Sequence, residues 1–579
     1  MSSSRRTGGA REEPTEEGTG LDRGGVFDLL DLELARALSR LAPDAREEVA
    51  LAIALTSRHV RRGHTCLPLE PAVLQAGVAS EEAWPELPNA SAWVDALRRS
   101  ALTQDGPLVI DEGARLYLRR YFEFERDIAT ELCARAIPLE AVGPSVPTAA
   151  LDRLVGRAET PRRAAAKRLL EHRISVLCGG PGTGKTTTVA AVAALFAEKH
   201  LAATQRQAKI LLLAPTGKAA ARLGSAVSGA KAKLDASDEV RAALPSEAIT
   251  VQRALGLRRH GLSFRHGPRN PLDADLIVVD EASMVDLALM RQLLVSIRKD
   301  AHLLLVGDPD QLTSVEAGSV LKDLVRADAE TWWTGRVTHL TTTYRYAASE
   351  TLGQLVSLIR EGDADAALSL LDRGDDRVAL QDPSSFEAAL DEAGTRWEAI
   401  LRAEGPRAHF TAREGFVVLS PFRRGPYGTV SLGHALERRL ENAPTQVRPV
   451  IIEANDHDLG VYNGDLGMAF ARGGTPFVTV PRDDGEFAEI ARVRLPSHTQ
   501  AFALSVHKAQ GSEFDEVLVV LPDADNPLLT RELLYTALSR ARRGARVVGP
   551  SSVLASAIER PARRFSGLVA RIAELNPRA

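Results

Sequence analysis

The run GGPGTGKTTT at residues 179–188 leaves the chain few folds to choose from. It follows the apolar run ISVLC and opens into KTTTVAAVAALFAEK, so a buried strand, a glycine-rich turn and a helix come in that order. Glycines in such a turn let successive backbone N–H groups converge on an anion, and the helix N-terminus adds the positive end of its dipole. The expected phosphate cradle is Gly179, Gly180, Pro181, Gly182, Thr183, Gly184, Lys185, Thr186 and Thr187. Within it Lys185 is placed to reach the β and γ phosphates of ATP, and the Thr186 hydroxyl to ligate Mg²⁺. The competing reading is an ordinary glycine turn, and the flanking strand and helix argue against it.

The strand texture repeats. Seven runs, ISVLC, KILLLA, LIVVD, HLLLVGD, FVVLS, EVLVVL and ARVVG, alternate with alanine-rich helical stretches. Apolar on both faces, they signal parallel sheets covered by helices, and their spread predicts two doubly wound α/β halves. Between residues 450 and 500 the texture changes. There VYNGDLGMAFARGGTPFVTVPRDDGEFAEI sets short alternating strands between Asn-Gly, Gly-Gly and Asp-Gly turns, which predicts a small β-barrel insert. Upstream, VFDLLDLELARALSRL carries apolar residues at three- and four-residue spacing and predicts a helical domain. The domain map is then a disordered tail over 1–22, a helical domain over 23–150, a first α/β half over 151–345, a second over 346–449 and 501–579, and the insert over 450–500.

Composition enters by exclusion. With 72 Lys and Arg against 76 Asp and Glu there is no global basic field, so a nucleic-acid site has to be a local groove. Three cysteines without CxxC spacing support neither a disulfide framework nor a zinc site, which fits a cytoplasmic location. The apolar runs are too short to span a bilayer.

A second chemical element is LIVVDEAS at 276–283, an apolar strand that delivers two carboxylates at its carboxyl end, where α/β sheets bind ligands. Asp280 is assigned to Mg²⁺, and Glu281 to orienting and deprotonating the attacking water. A third strand ends in LLLVGDPDQLTSVEAG at 303–318, where Gln311, able to donate and to accept, is placed to sense the γ phosphate.

These pieces define a nucleotide hydrolase, and further runs narrow it. LLLAPTGKAAARL (211–223), TVQRALG (250–256), VVDEASMVD (278–286), TTYRY (342–346), NDHDLGVYNGDLG (455–467), SVHKAQGSEFD (505–515) and TRELLYTALSRAR (530–542) resemble, in order, the motifs of superfamily 1B helicases of the RecD family. The resemblance covers about the last two thirds of the chain. GHTCLPL (63–69) and ARLYLRRYF (114–122) extend it toward the type that works inside a RecBCD helicase–nuclease.

That resemblance implies two RecA-like P-loop domains clamping ATP, a helical N-terminal domain for partner contact and an SH3-like insert. It implies a 5′ to 3′ helicase acting on single-stranded DNA and duplex ends in double-strand break repair, with RecB-like and RecC-like partners and no nuclease site of its own. A stand-alone RecD-like helicase is the alternative. By position, Arg345 and Arg540 match the family's catalytic arginines, and Glu513 its nucleotide-contacting acid. The DNA-contacting loops map to Thr216, Lys218, Ser314 and His507, with Arg265 and Asn270 added from the basic stretch LRRHGLSFRHGPRN. Arg162 stands where the family places an adenine-reading glutamine.

Overall fold

A computed structural model describes residues 26–42, 47–75, 85–136, 148–157, 160–258, 263–373, 377–441, 447–456, 458–482 and 485–575. The tail predicted over 1–22 lies outside them. The chain divides into two compact units, 1–122 and 123–579.

The first unit is not purely helical. Helices Leu29–Ser39, Glu47–Arg61 and Ala90–Arg99 accompany three short strands, β1 (Leu67–Pro68), β2 (Leu108–Ile110) and β3 (Arg115–Leu118), paired antiparallel in the order β1-β3-β2. The hairpin between β2 and β3 turns on Asp111, whose carboxylate accepts the Arg115 backbone N–H at 3.0 Å and its Nε at 2.7 Å. Such a local side-chain-to-backbone bond offers the chain an alternative to helix, and the runs LVI and RLYL are too short for helical periodicity to resist it. Fully buried Trp93, Ile53, Leu55 and Leu97 form the core, and the Trp93 indole donates to Glu48 O at 2.9 Å.

The second unit contains both predicted sheets. The first comprises β4 (Ile174–Gly179), β5 (Ile210–Ala214), β6 (Ile249–Thr250), β7 (Leu276–Val279), β8 (His302–Gly307) and β9 (Val337–Leu340), in the order β6-β5-β7-β8-β4-β9 with every pairing parallel. Strand β4, which leads into the glycine-rich turn, and strand β7, which ends at the two carboxylates, thus flank β8. Three loops of unlike chemistry consequently leave one sheet edge side by side.

The remaining strands are β10 (Val378–Gln381), β11 (Phe416–Ser420), β12 (Arg448–Ile452), β13 (Leu466–Arg472), β14 (Thr475–Pro481), β15 (Phe487–Ala491), β16 (His498–Gln500), β17 (Ala503–Ser505), β18 (Phe514–Val520) and β19 (Ala541–Val548). The second parallel sheet runs β10-β19-β18-β11-β17. The inserted segment forms a five-stranded antiparallel sheet, β15-β14-β13-β12-β16, beginning at Arg448. Its outer strands β15 and β16 pair only inward among the described residues, so its recorded form is an open sheet rather than the expected closed barrel. Among the described residues no helix is long and apolar enough to cross a membrane.

Candidate nucleotide and DNA sites

The turn after β4 needs its glycines. Gly182 and Gly184 adopt φ of +75° and +82°, in the left-handed region that a side chain disfavours. A Cβ on Gly182 would also lie 2.2 Å from the Arg345 Cβ, so the turn and the arginine segment fit only without it. That segment grips the turn: Tyr344 N donates to Gly182 O at 2.9 Å and the Thr343 hydroxyl to Pro181 O at 3.2 Å. Lys185 opens the 20-residue helix Lys185–Thr204, and its ammonium donates to Gly179 O at 2.5 Å and Gly180 O at 3.1 Å. Thr183 closes the turn by donating to Gly180 O at 2.9 Å, and Thr186 and Thr187 follow in the first helical turn.

Asp280 and Glu281 leave the end of β7. Glu281 has φ +50° and ψ 40°, a left-handed conformation that costs a non-glycine residue of order 1–3 kcal/mol and persists only where surroundings impose it. Its backbone N–H donates to Asp280 Oδ1 at 2.9 Å, which orients the Asp280 carboxylate. Burial raises the Asp280 carboxyl above the usual range, and the adjacent Glu281 charge adds to it, while the Lys185 ammonium opposes both. The Thr186 hydroxyl and Asp280 carboxylate are hard oxygen donors of the kind Mg²⁺ takes. Among the described residues no group of three or more His, Cys, Asp or Glu could hold a metal alone.

The second sheet faces this edge with its amino ends. Parallel pairing sets Phe514 of β18 against Ala541 of β19, and Phe514 N donates to Arg540 O at 2.9 Å, so Glu513 and Arg540 emerge as neighbours. Arg345 bonds across to both segments, Nη1 to Ser539 O at 2.8 Å and Nη2 to Glu513 Oε1 at 2.5 Å. Arg222, from the first half, also pairs with Glu513, and within its own half the charges of Glu281 and Asp280 act on it. Arg542 Nε completes the ring around Glu513 at 3.3 Å. Arg540, 2% exposed, donates to the neutral acceptors Thr536 O, Ser512 O and Ser539 Oγ at 3.1 to 3.4 Å. Burial, then the neighbouring Arg540, lowers the Arg345 guanidinium to about 10. Glu513 is therefore the shared counter-ion of Arg222, Arg345 and Arg542, where only a nucleotide contact was expected of it.

The loop after β8 joins the halves. Gln311, 3% exposed, donates to Asp308 Oδ2 at 3.0 Å, and the same oxygen accepts Tyr535 OH from the second half at 3.0 Å. Leu312 N donates to Thr536 Oγ1 at 2.9 Å, and Gln510 Nε2 to Leu312 O at 3.0 Å. Farther along, the buried Ser314 hydroxyl donates to Glu316 O at 2.9 Å. Arg564 fixes this stretch through Ser314 O and Glu316 O at 2.6 and 2.7 Å. His507 lies close enough to Arg564 for that charge, after burial, to lower the imidazole's pKa. Ser314, His507 and Arg564 thus share one neighbourhood, and beside them Val315 is 74% exposed.

The other residues expected at DNA lie elsewhere. Thr216 caps the helix Gly217–Lys231 by accepting Ala219 N at 3.2 Å. Lys218 donates to the Ser512 hydroxyl, and burial lowers its ammonium to about 8, so in this conformation it faces the second half instead of an open groove. At its neighbour in sequence, Gly217, a Cβ would lie 3.3 Å from the Tyr462 ring of the insert, so the ring approaches this turn closely. Arg265 and Asn270 are exposed on one loop and joined by Asn270 Nδ2 to Arg265 O at 3.1 Å, while residues 259–262 of that basic stretch lie outside the described set.

Arg222, Tyr535, Arg542 and Arg564 escaped the sequence reading. A signal for Arg222 was present: Lys218 and Arg222 stand four apart on the helix after β5, hence on one face. In the structure they meet the consecutive residues Ser512 and Glu513. Nothing comparable marks Arg564, whose partners are backbone carbonyls some 250 residues away.

Family models agree with this architecture. The RecBCD subunit RecD N-terminal domain matches residues 23–117, an AAA domain 159–382, and a UvrD-like helicase C-terminal domain 500–548. The chain is 40% identical to the RecBCD enzyme subunit RecD of Mycobacterium tuberculosis, over 95% of this chain and 96% of that one. The corresponding subunit of Mycolicibacterium smegmatis is 39% identical, over 94% and 98%. An ATP-dependent RecD2 DNA helicase of Deinococcus radiodurans is 34% identical over 81% of this chain and 61% of its own length. Among solved structures, Bacteroides Pif1 bound to ssDNA is 15% identical with a TM-score of 0.38, over 67% of this chain and 91% of that one. On the strength of its near full-length match to the mycobacterial subunits, the chain belongs to the RecD family of helicases.

Proposed function

We propose that this chain is an ATP-driven DNA helicase that moves 5′ to 3′ on single strands, as the motor subunit of a RecBCD-type complex with RecB-like and RecC-like partners in double-strand break repair. The observation that carries the reading is the facing of two parallel sheets, one offering a glycine cradle, Lys185 and two carboxylates, the other Arg540 and the Glu513 counter-ion, with Arg345 between them. Thr186 and Asp280 would hold Mg²⁺, which when bound neutralises charge on the phosphates. Glu281 orients the attacking water and takes its proton, and Gln311 reports the γ phosphate. Arg345 and Arg540 stabilise charge on the transferring group. Arginines in this role are worth about 10³ to 10⁵ in turnover, or roughly 4–7 kcal/mol of barrier.

Because Asp308 joins Gln311 on its own loop to Tyr535 of the other half, and Arg345 reaches Ser539 across the same boundary, a change at the phosphate is felt as a shift of one sheet against the other. Ser314, His507, Arg265 and Asn270 remain the proposed contacts to the DNA backbone, holding phosphates without reading bases. The test is ATP hydrolysis with and without single-stranded DNA, and unwinding of duplexes carrying a 5′ or a 3′ overhang. Strong stimulation and a preference for the 5′ overhang are expected; absence of stimulation with partner chains present removes the motor reading, and a 3′ preference reverses the polarity. The likeness to a RecD2 helicase favours a second reading, action without partners, which unwinding by the purified chain alone would establish.

A further inference from the structure

Two adjacent arginines near the phosphate cradle have different fates. The helix Pro161–Glu171 begins at Thr160, whose hydroxyl accepts Arg163 N at 3.3 Å. Arg163 is buried and committed to the scaffold, with Nη1 donating to Asp152 Oδ1 at 2.7 Å and Gly156 O at 2.6 Å. Arg162 has no such commitment: among the described residues no carboxylate pairs with it. Its guanidinium carbon stands 6.0 Å from the centre of the Tyr344 ring, and its Nη2 lies 2.5 Å from where a Cβ on Gly184 would be. It therefore stands against the turn that holds phosphate and beside an aromatic face at once.

Tyr344 is 63% exposed, which is unusual for a tyrosine whose backbone N–H is fixed to the cradle at Gly182 O, 2.9 Å away. A flat exposed ring tethered one bond from the phosphate turn is a platform for a nucleobase, and a side chain next to it can read the base edge. Arg162 can read only one kind of edge. A guanidinium carries donors and no acceptor. Guanine presents two adjacent acceptors, O6 and N7, whereas adenine presents N7 beside the N6 amino donor, which a second guanidinium N–H cannot satisfy. A glutamine, with one donor and one acceptor, would match adenine instead.

We propose that Arg162 is the base-selecting residue of the nucleotide site and that it admits guanine, so that GTP drives the chain at least as well as ATP. The proposal rests on the reading of residues 179–188 as the nucleotide cradle and adds the identity of the base. Arg162 supplies two donors to O6 and N7, Tyr344 supplies the stacking face, and the helix N-terminus at Lys185 holds the phosphates.

The experiment measures kcat/KM for ATP, GTP and ITP with single-stranded DNA in excess, on the full chain and on Arg162→Gln. ITP carries O6 and N7 as guanine does but lacks the 2-amino group, so it isolates the edge in question. In the unaltered chain a GTP-to-ATP ratio at or above about one is expected, with ITP tracking GTP. Arg162→Gln should lower that ratio by between about fivefold and a hundredfold, mainly through KM. A ratio well below one, a ratio unmoved by the substitution, or ITP behaving like ATP overturns the proposal. Should the variant fail to fold, displacement of a fluorescent nucleotide by GDP and ADP on the unaltered chain decides the same point, and weaker displacement by GDP overturns it. Absence of binding and hydrolysis with all three nucleotides would instead remove the cradle reading itself.

Discussion

Gly182 answers to two constraints at once, a positive φ and the nearness of the Arg345 Cβ. Gly182→Ala should lower stability by about 1–3 kcal/mol from backbone strain alone and abolish hydrolysis, because the arginine must retreat from the turn to make room. Thermal melting and turnover on the same preparation check it. Lys185→Ala makes the complementary case: the ammonium leaves only two backbone carbonyls behind, so circular dichroism should be unchanged while hydrolysis falls below detection. Wild-type turnover in that variant would rule out the phosphate assignment. The strained Glu281 was legible as a carboxylate at the end of an apolar strand, but its left-handed backbone was not, since residue type alone gives no signal for a positive φ at a glutamate.

At the scale of elements, the loop after β8 and the helix Arg531–Leu538 behave as one joint. Asp308 Oδ2 accepts from Gln311 on its own loop and from Tyr535 on the other half. Tyr535→Phe removes one of those donors and keeps the ring. It should cost about 1 kcal/mol of stability and leave ATP affinity nearly unchanged, while reducing the stimulation of hydrolysis by single-stranded DNA. A variant stimulated as fully as the unaltered chain would show that the joint carries no signal. The elements themselves were largely readable: each of the seven apolar runs became a strand of a parallel sheet, because burial on both faces leaves a near-continuous apolar signature. The short strands of the first unit and the open edges of the insert were not, because three or four residues carry too little periodicity to be distinguished from a turn.

For the molecule as a whole, acid should be destabilising in a defined window. Burial lowers His59, His172 and His302 each to about 4 from an ordinary 6.5, so the unfolded chain takes up these protons first. Their contribution to stability is complete above pH 6.5 and is lost as pH falls toward 4. Asp310 and Asp323, pushed up by burial to about 6 and about 7, act in the opposite sense, so one melting curve mixes both. Comparison with His302→Gln separates them: that variant should lose less of its melting temperature between pH 6.5 and 4.5. An identical slope would show that His302 is not buried neutral. The sequence by itself determined the α/β class, the glycine-rich turn between strand and helix, the adjacent carboxylates at a strand end and the family, since each is a matter of residue type at short spacing along one element. Only the tertiary structure decided that Glu513 serves three arginines, that Lys218 turns toward Ser512, that Arg564 latches the loop at Ser314, and that Arg162 stands over Tyr344. Those partners lie tens to hundreds of residues apart in sequence, so no local pattern of residue types could have paired them.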